Sequence, residues 1–165
     1  MSNMVYLLCS LPSLTFGQAP PISFEEFYSD SQKQLSSGHF KMLEEISLRR
    51  IHPAAKGKLK SISELNAGLQ NDLGEIRKAK VEKRHANLAH LPKAVNGLNP
   101  LEREKQIMQW QWEELNDLEA GSTFSIINVL VYKLKLQILI RMNSFAQEEG
   151  VKVLASVING AQKEE

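Results

Sequence analysis

Residues 124–142 constrain the fold more than any other part of the sequence, because this segment is long enough to span a bilayer and is dense in Ile, Leu and Val. Lys133 and Lys135 lie near its middle, where together they would cost about 5 to 7 kcal/mol in a membrane. The apolar side chains return only about 3 to 7 kcal/mol, and other polar residues of the segment add to the cost. The segment therefore predicts a buried helix, with a core stripe of Ile127, Leu130, Val131, Leu134, Ile138 and Phe145.

Apolar residues also recur at helical spacing near the start of the chain. Ser23 and Glu26 form a capping box. The serine side chain accepts an amide proton from the first turn, and the glutamate side chain reaches back to the backbone N–H of the serine. Two apolar faces follow, one of Phe24, Phe27, Tyr28 and Leu35 and the other of Phe40, Leu43 and Ile46. We expect two helices that form a short hairpin.

The middle of the chain predicts a long helix with little apolar surface. Ser61 and Glu64 form a second capping box, and a narrow apolar stripe of Leu65, Leu69, Leu73 and Ile76 follows. The stripe fails after Ile76, because Lys80 and Lys83 occupy the next apolar positions. A helix from Glu64 to His90 would be about 40 Å long. Such a helix either projects from the body or lies against a partner.

Proline and glycine mark the ends of the later helices. Residues 91–100 form the internal boundary, after which Asn99 caps a helix that has Pro100 at its first position. That helix ends at Ala120–Gly121. We expect Ser122 or Thr123 to open the apolar helix, Glu149–Gly150 to end it, and a short last helix to carry Val151, Leu154, Val157 and Ile158.

These patterns predict an all-α fold, a helical bundle of six or seven helices. The chain has 42% hydrophobic and 24% charged residues, which is ordinary for a globular protein that forms its own core. We divide it into an N-terminal hairpin at residues 1–60 packed on the body, a basic arm and linker at residues 61–98, and a C-terminal core at residues 99–165. The three parts are expected to form one domain.

The sequence contains no recognisable catalytic constellation. The four histidines, His39, His52, His85 and His90, lack the i, i+4 spacing that places two metal ligands on one helical turn. Adjacent glutamates such as Glu113 and Glu114 diverge on a helix, and no glycine-rich phosphate loop is found. We therefore expect no catalytic, cofactor-binding or metal-binding residues, and a protein that is not an enzyme.

Charge is concentrated in the middle of the chain, where residues 56–93 carry 9 basic and 4 acidic groups. Nucleic-acid binding by residues 77–84 is one interpretation. The basic groups surround the helix, and no aromatic residue lies among them for base stacking. We favour a solvated helix face or a docking surface for an acidic protein, and the candidate partner-binding residues are Arg77, Lys78, Lys80, Lys83, Arg84 and Trp110.

Three stretches of the sequence carry a family resemblance. They are residues 6–14, residues 20–27, and a later block that comprises residues 99–104, Trp110, Trp112, Phe124 and residues 132–141. In these stretches the chain resembles a bacterial family of unknown function that is associated with V-type (A/V-type) ATPases and is similar to the C-type subunit of their central stalk.

The resemblance implies a non-catalytic accessory or central-stalk component of a V-type rotary ATPase, with a fold like that of the C-type stalk subunit. Such a component acts through protein–protein contacts in ATP-driven ion transport or ATP synthesis. The implied partners are other subunits on the rotor-shaft or membrane-ring side, with no small-molecule substrate. The lone Cys9 suits the cytoplasm, and the apolar residues 4–14 lack the preceding basic residue of a signal peptide. We expect a cytoplasmic protein, at most peripheral on the cytoplasmic side of the inner membrane.

Overall fold

A computed structural model describes residues 3–161, and all regular structure in that range is helical. The all-α prediction is therefore confirmed. The elements are α1 (Met4–Ser10), α2 (Phe24–Gln34), α3 (Ser37–Glu45), α4 (Lys58–Glu82), a 3₁₀ helix (Lys93–Gly97), α5 (Pro100–Ala120) and α6 (Ile126–Ala161).

Local capping starts several of these helices where the sequence places them. The Ser23 side chain accepts the backbone N–H of Glu26, and Glu26 accepts the N–H of Ser23, so the predicted capping box is present on α2. Asn99 caps α5 in the same way through the N–H of Glu102, with Pro100 at the first position. Both predictions are confirmed because a cap depends on residues within one turn.

The main core lies where α5 and α6 pack together and α1, α2 and α3 cover them. Between residues 127 and 139 nearly every side chain of α6 is buried, so this segment is enclosed on all sides. The N-terminal helices contribute fully buried residues such as Leu7, Phe27 and Leu43. The predicted stripe of α6 is buried in this core, with Phe145 packed at its edge.

A second, smaller cluster joins α4 to the outer side of α5. Its buried residues are Leu69, Ile76, Leu91, Val95 and Ile107, with Leu73, Ala86, Leu88 and Trp110 packed around them. The chain that follows α4 supplies part of this cluster, because residues 84–97 turn back along α4 before α5 begins.

The expected bounds of α4 are wrong at both ends. It begins at Lys58 after Gly57, which has a φ of 59° and gives no side-chain cap, so the Ser61 capping box is not formed. The extra turn places Leu59 against the main core. It ends at Glu82 instead of His90, because Lys83 takes the left-handed conformation and the following residues bond back to the helix. At 25 residues, α4 is about 37 Å long.

The last two predicted helices are one helix in the structure. Gly150 does not take the left-handed conformation, so α6 continues through it to Ala161. A glycine inside a helix costs only about 1 kcal/mol, which does not force a break. The start of α6 is also later than expected, at Ile126, because the Asn128 side chain accepts the N–H of Ser125 and donates to the carbonyl of Ser122. Among residues 3–161, no helix combines the length and apolar character that crossing a bilayer requires.

Candidate protein-binding surfaces

Two exposed regions of the chain have the character of binding surfaces, and the first is the C-terminal end of α4. Lys83 has a φ of 53°, and the N–H of Arg84 donates to the Ala79 carbonyl at 3.0 Å, so the helix ends in a tight turn. The four basic residues Arg77, Lys78, Lys80 and Lys83 are exposed, and none of them forms an ion pair within residues 3–161. Four of the predicted partner-binding residues are therefore exposed in the last two turns of α4 and the turn that ends it.

Arg84, by contrast, is used within the chain. Its guanidinium donates to the carboxylates of Glu75 and Glu82. Glu75 also accepts the backbone N–H of Asn87 at 3.1 Å. The hydrogen bond from Arg84, followed by that of Asn87, lowers the pKa of Glu75 to about 2. Arg84 thus holds the turn after α4 in place, and its charge is largely compensated.

A buried aspartate fixes the same segment further along. The Asp72 carboxylate, which is 3% exposed, accepts the backbone N–H groups of Ala89, His90 and Leu91 at 3.1, 2.8 and 2.7 Å. Burial raises the pKa of Asp72, but these three backbone donors outweigh burial and the pKa lies below its usual value. The basic end of α4 is therefore presented on a fixed backbone.

Trp110 lies away from that basic end. It is half-buried beside the second cluster, and it lines an open cleft together with Ser61, Glu64, Leu65, His90 and Glu114. Trp112 faces the other way, is only 8% exposed, and packs edge-to-face on Phe16 with ring centroids 5.5 Å apart. The two tryptophans thus face different clusters, as their spacing on α5 requires.

The second exposed region is the end of α6, which we call the α6 projection and define as residues 150–161. Its base is marked by an ion pair between Lys105 of α5 and Glu149, at 3.8 Å. Beyond Glu149 the helix continues for about 18 Å. Val151, Leu154, Val157 and Ile158 are 67, 60, 63 and 50% exposed. The sequence pattern identifies these apolar residues but places them in a separate short helix. It does not show that α5 leaves them uncovered, because that depends on the tertiary structure.

The apolar surface of the α6 projection is wider than a coiled-coil seam. Val151, Leu154 and Ile158 are spaced three and four residues apart and form one row. Val157 lies to one side of that row. A strict two-helix seam would leave Val157 at its edge, whereas an apolar groove on a partner would cover Val157 as well.

The sequence does not reveal that the charged residue Lys133 is buried in the main core. It is 3% exposed, and its ammonium donates to the backbone carbonyls of Leu43, Glu44 and Ile46, which end α3. Burial lowers its pKa to about 8. The contacts are with backbone carbonyls and with the ring of Tyr28, so the role supported by these contacts is to cap α3 inside the core. In residues 3–161 no group of three or more His, Cys, Asp or Glu side chains is arranged to hold a metal.

Comparison with known proteins gives one match. A family model described as "Protein of unknown function (DUF2764)" matches residues 57–165. This range contains α4, α5 and α6, and therefore both exposed surfaces, whereas α1, α2 and α3 lie outside it. No curated protein matches the chain. No solved structure matches it either.

Proposed function

The chain belongs to this DUF2764 family of unknown function, and we propose that it is a non-catalytic accessory or central-stalk component of a V-type rotary ATPase, similar to the C-type stalk subunit. In this role it makes protein–protein contacts with other subunits, on the rotor-shaft or membrane-ring side, during ATP-driven ion transport or ATP synthesis. It has no small-molecule substrate, and it lies in the cytoplasm, at most peripheral to the inner membrane.

The observation that carries the proposal is the α6 projection. A helix that extends past its neighbours with an uncovered apolar face costs solubility unless a partner buries it. Anchors at i, i+3 and i+7, as in Val151, Leu154 and Ile158, are those that an amphipathic helix places in a groove of another protein.

The size of the surface favours a groove over a second copy of the same helix. Four partly exposed side chains offer only a few hundred Å² of apolar area. A stable interface buries about 800 Å² on each partner, so two such projections packed face to face fall short. A groove buries the sides of the helix as well and gains area from the partner's walls. The assignment of the partner to a V-type ATPase is supported by the resemblance of residues 6–14, 20–27 and 99–141.

The test is co-purification with the native enzyme. The tagged chain is expressed in its own host, the V-type ATPase is purified through one of its catalytic subunits, and the chain is quantified by mass spectrometry. We expect the wild-type chain in the complex and a loss of at least about tenfold for Leu154→Asp and Ile158→Asp, because a charge would be buried in an apolar groove.

Asn159→Asp is the matched control, since it adds the same charge outside the apolar row, about 100° around the helix from Ile158 and about 140° from Leu154. Circular dichroism of all three variants checks that α6 remains helical. Absence of the wild-type chain from the purified ATPase, or equal retention of all three variants, contradicts the proposal.

A further inference from the structure

The end of α4 carries one exposed apolar side chain among the basic ones. Val81 is 83% exposed, more than any other large hydrophobic residue of the described chain. On a helix its neighbours are the residues three and four positions earlier, Lys78 and Arg77, and Lys80 precedes it directly. Val81 is therefore an exposed apolar side chain that three exposed cations flank on the outer side of α4.

The backbone beneath these residues is fixed before any partner arrives. Arg84 is bound by Glu75 and Glu82, and Asp72 holds the backbone of residues 89–91. A surface that is already ordered loses little further entropy on binding. The two helical turns that carry Val81 therefore differ from a mobile basic tail.

We propose that the surface formed by Arg77, Lys78, Lys80 and Val81 binds an acidic helical segment of another protein. Carboxylates of that segment pair with the three cations, and an apolar residue of the segment covers Val81. Charge at the edge and an apolar contact at the centre are the arrangement found in protein interfaces. This surface is separate from the α6 projection, and the inference does not depend on the proposed ATPase assembly.

A nucleic acid fits this surface less well. Glu75 and Glu82 stand beside the cations, and α4 presents no aromatic side chain on which a base could stack. A phosphate backbone also leaves Val81 without an apolar contact. Nucleic-acid binding by residues 77–84 is therefore the alternative that the experiment below must exclude.

An anionic membrane also fits less well. Helices that bind a bilayer surface insert a continuous apolar face. Val81 is the only exposed large hydrophobic residue among the described side chains of α4, so there is no such face to insert.

The experiment measures binding of the full chain to a fluorescein-labelled helical peptide that has glutamates on one face and one leucine per two turns. Fluorescence anisotropy at low salt is expected to show binding that weakens as salt rises. The double variant Lys78→Glu/Lys80→Glu, which reverses the two lysines on either side of Val81, should weaken it about tenfold or more. The matched control Lys33→Glu/Lys41→Glu, which reverses two exposed lysines on α2 and α3, should change it less than about twofold.

Val81→Ser separates a built surface from general charge attraction. We expect it to weaken peptide binding by a similar factor at low and high salt, because an apolar contact is not screened. The inference is overturned if the peptide does not bind, if the control weakens binding as much as the α4 variant, or if Val81→Ser has no effect. It is also overturned if duplex DNA or phosphatidylserine vesicles bind more tightly than the peptide and with the same sensitivity to Lys78→Glu/Lys80→Glu.

Discussion

The main core and the second cluster are held together in different ways. Among residues 3–161, the main core contains 17 buried hydrophobic residues from α1, α2, α3, α4, α5 and α6, whereas the second cluster contains five. Around the smaller cluster, side-chain hydrogen bonds tie the chain that follows α4 to the helix and to itself. Asp72 binds three backbone N–H groups, Glu75 binds Arg84 and Asn87, and Asn96 donates to the Ala86 carbonyl.

The comparison shows how a helix with a thin apolar seam is kept in place. Burial alone gives α4 too little stabilisation, so carboxylates on its inner side bind the returning chain. The outer side of α4 is then left for charged residues that the fold does not need. In the main core the reverse holds, since α6 is enclosed by apolar side chains and its one buried charge, Lys133, caps α3.

The largest expected effect contrasts one leucine from each region. Leu134→Ala in the main core should lower the free energy of unfolding by about 3 to 5 kcal/mol, because the surrounding helices cannot collapse into the cavity. Leu69→Ala in the second cluster should cost only about 2 to 3 kcal/mol, because the adjoining chain can relax. Both side chains are at most 1% exposed, so urea denaturation compares them directly. An equal or larger cost at Leu69 would contradict the contrast between the regions.

A second prediction concerns the buried charge of the main core. Burial lowers the pKa of Lys133 from 10.5 to about 8, so between these values the unfolded chain binds the proton more tightly and the free energy of unfolding rises with pH. The gain is about 1 to 3 kcal/mol, because the three carbonyl acceptors favour the ammonium and offset part of the burial. Stability curves of the wild type and Lys133→Met, measured between pH 8 and 10.5, are subtracted.

Subtracting the curve of Lys133→Met also removes the contribution of other titrating groups to the pH dependence. Burial raises the pKa of Tyr132 to about 12, and burial also raises that of Tyr28. Ionisation of the unfolded tyrosines therefore lowers stability at the top of the range in both proteins, and the subtraction removes it. A flat difference between the two curves would show that Lys133 is not perturbed by the core.

The smallest effect tests how closely α4 contacts the returning chain. Gly74→Ala should stabilise the protein by about 0.5 to 1 kcal/mol through helix propensity, because an added Cβ there meets nothing within 4 Å. Gly68→Ala gains the same propensity but places its Cβ 2.9 Å from Cγ of His90. We expect it to lose the gain and to speed amide exchange at Ala89–Leu91. If both alanines stabilise the protein equally, the ring of His90 is not packed on α4.

Much of the fold follows from the sequence, and less of the candidate surfaces does. Ser23, Asn99 and the apolar stripe of α6 are predicted correctly, because caps and helical periodicity act within one or two turns. The residues Arg77, Lys78, Lys80 and Lys83 are found from their charge alone. The sequence does not show that Arg84 is paired with Glu75. The two residues are nine positions apart, and they meet only because α4 ends at Glu82.

The sequence alone predicts that the chain is helical, where two of its caps lie, and that most of residues 124–142 belong to a buried helix. Which charges are used inside the fold, and which apolar residues are left uncovered, depends on tertiary packing. Val151 and Leu134 have similar side chains on the same helix, yet α5 and its neighbours cover only Leu134. Exposure depends on what lies opposite a residue, and that information is spread over the whole chain.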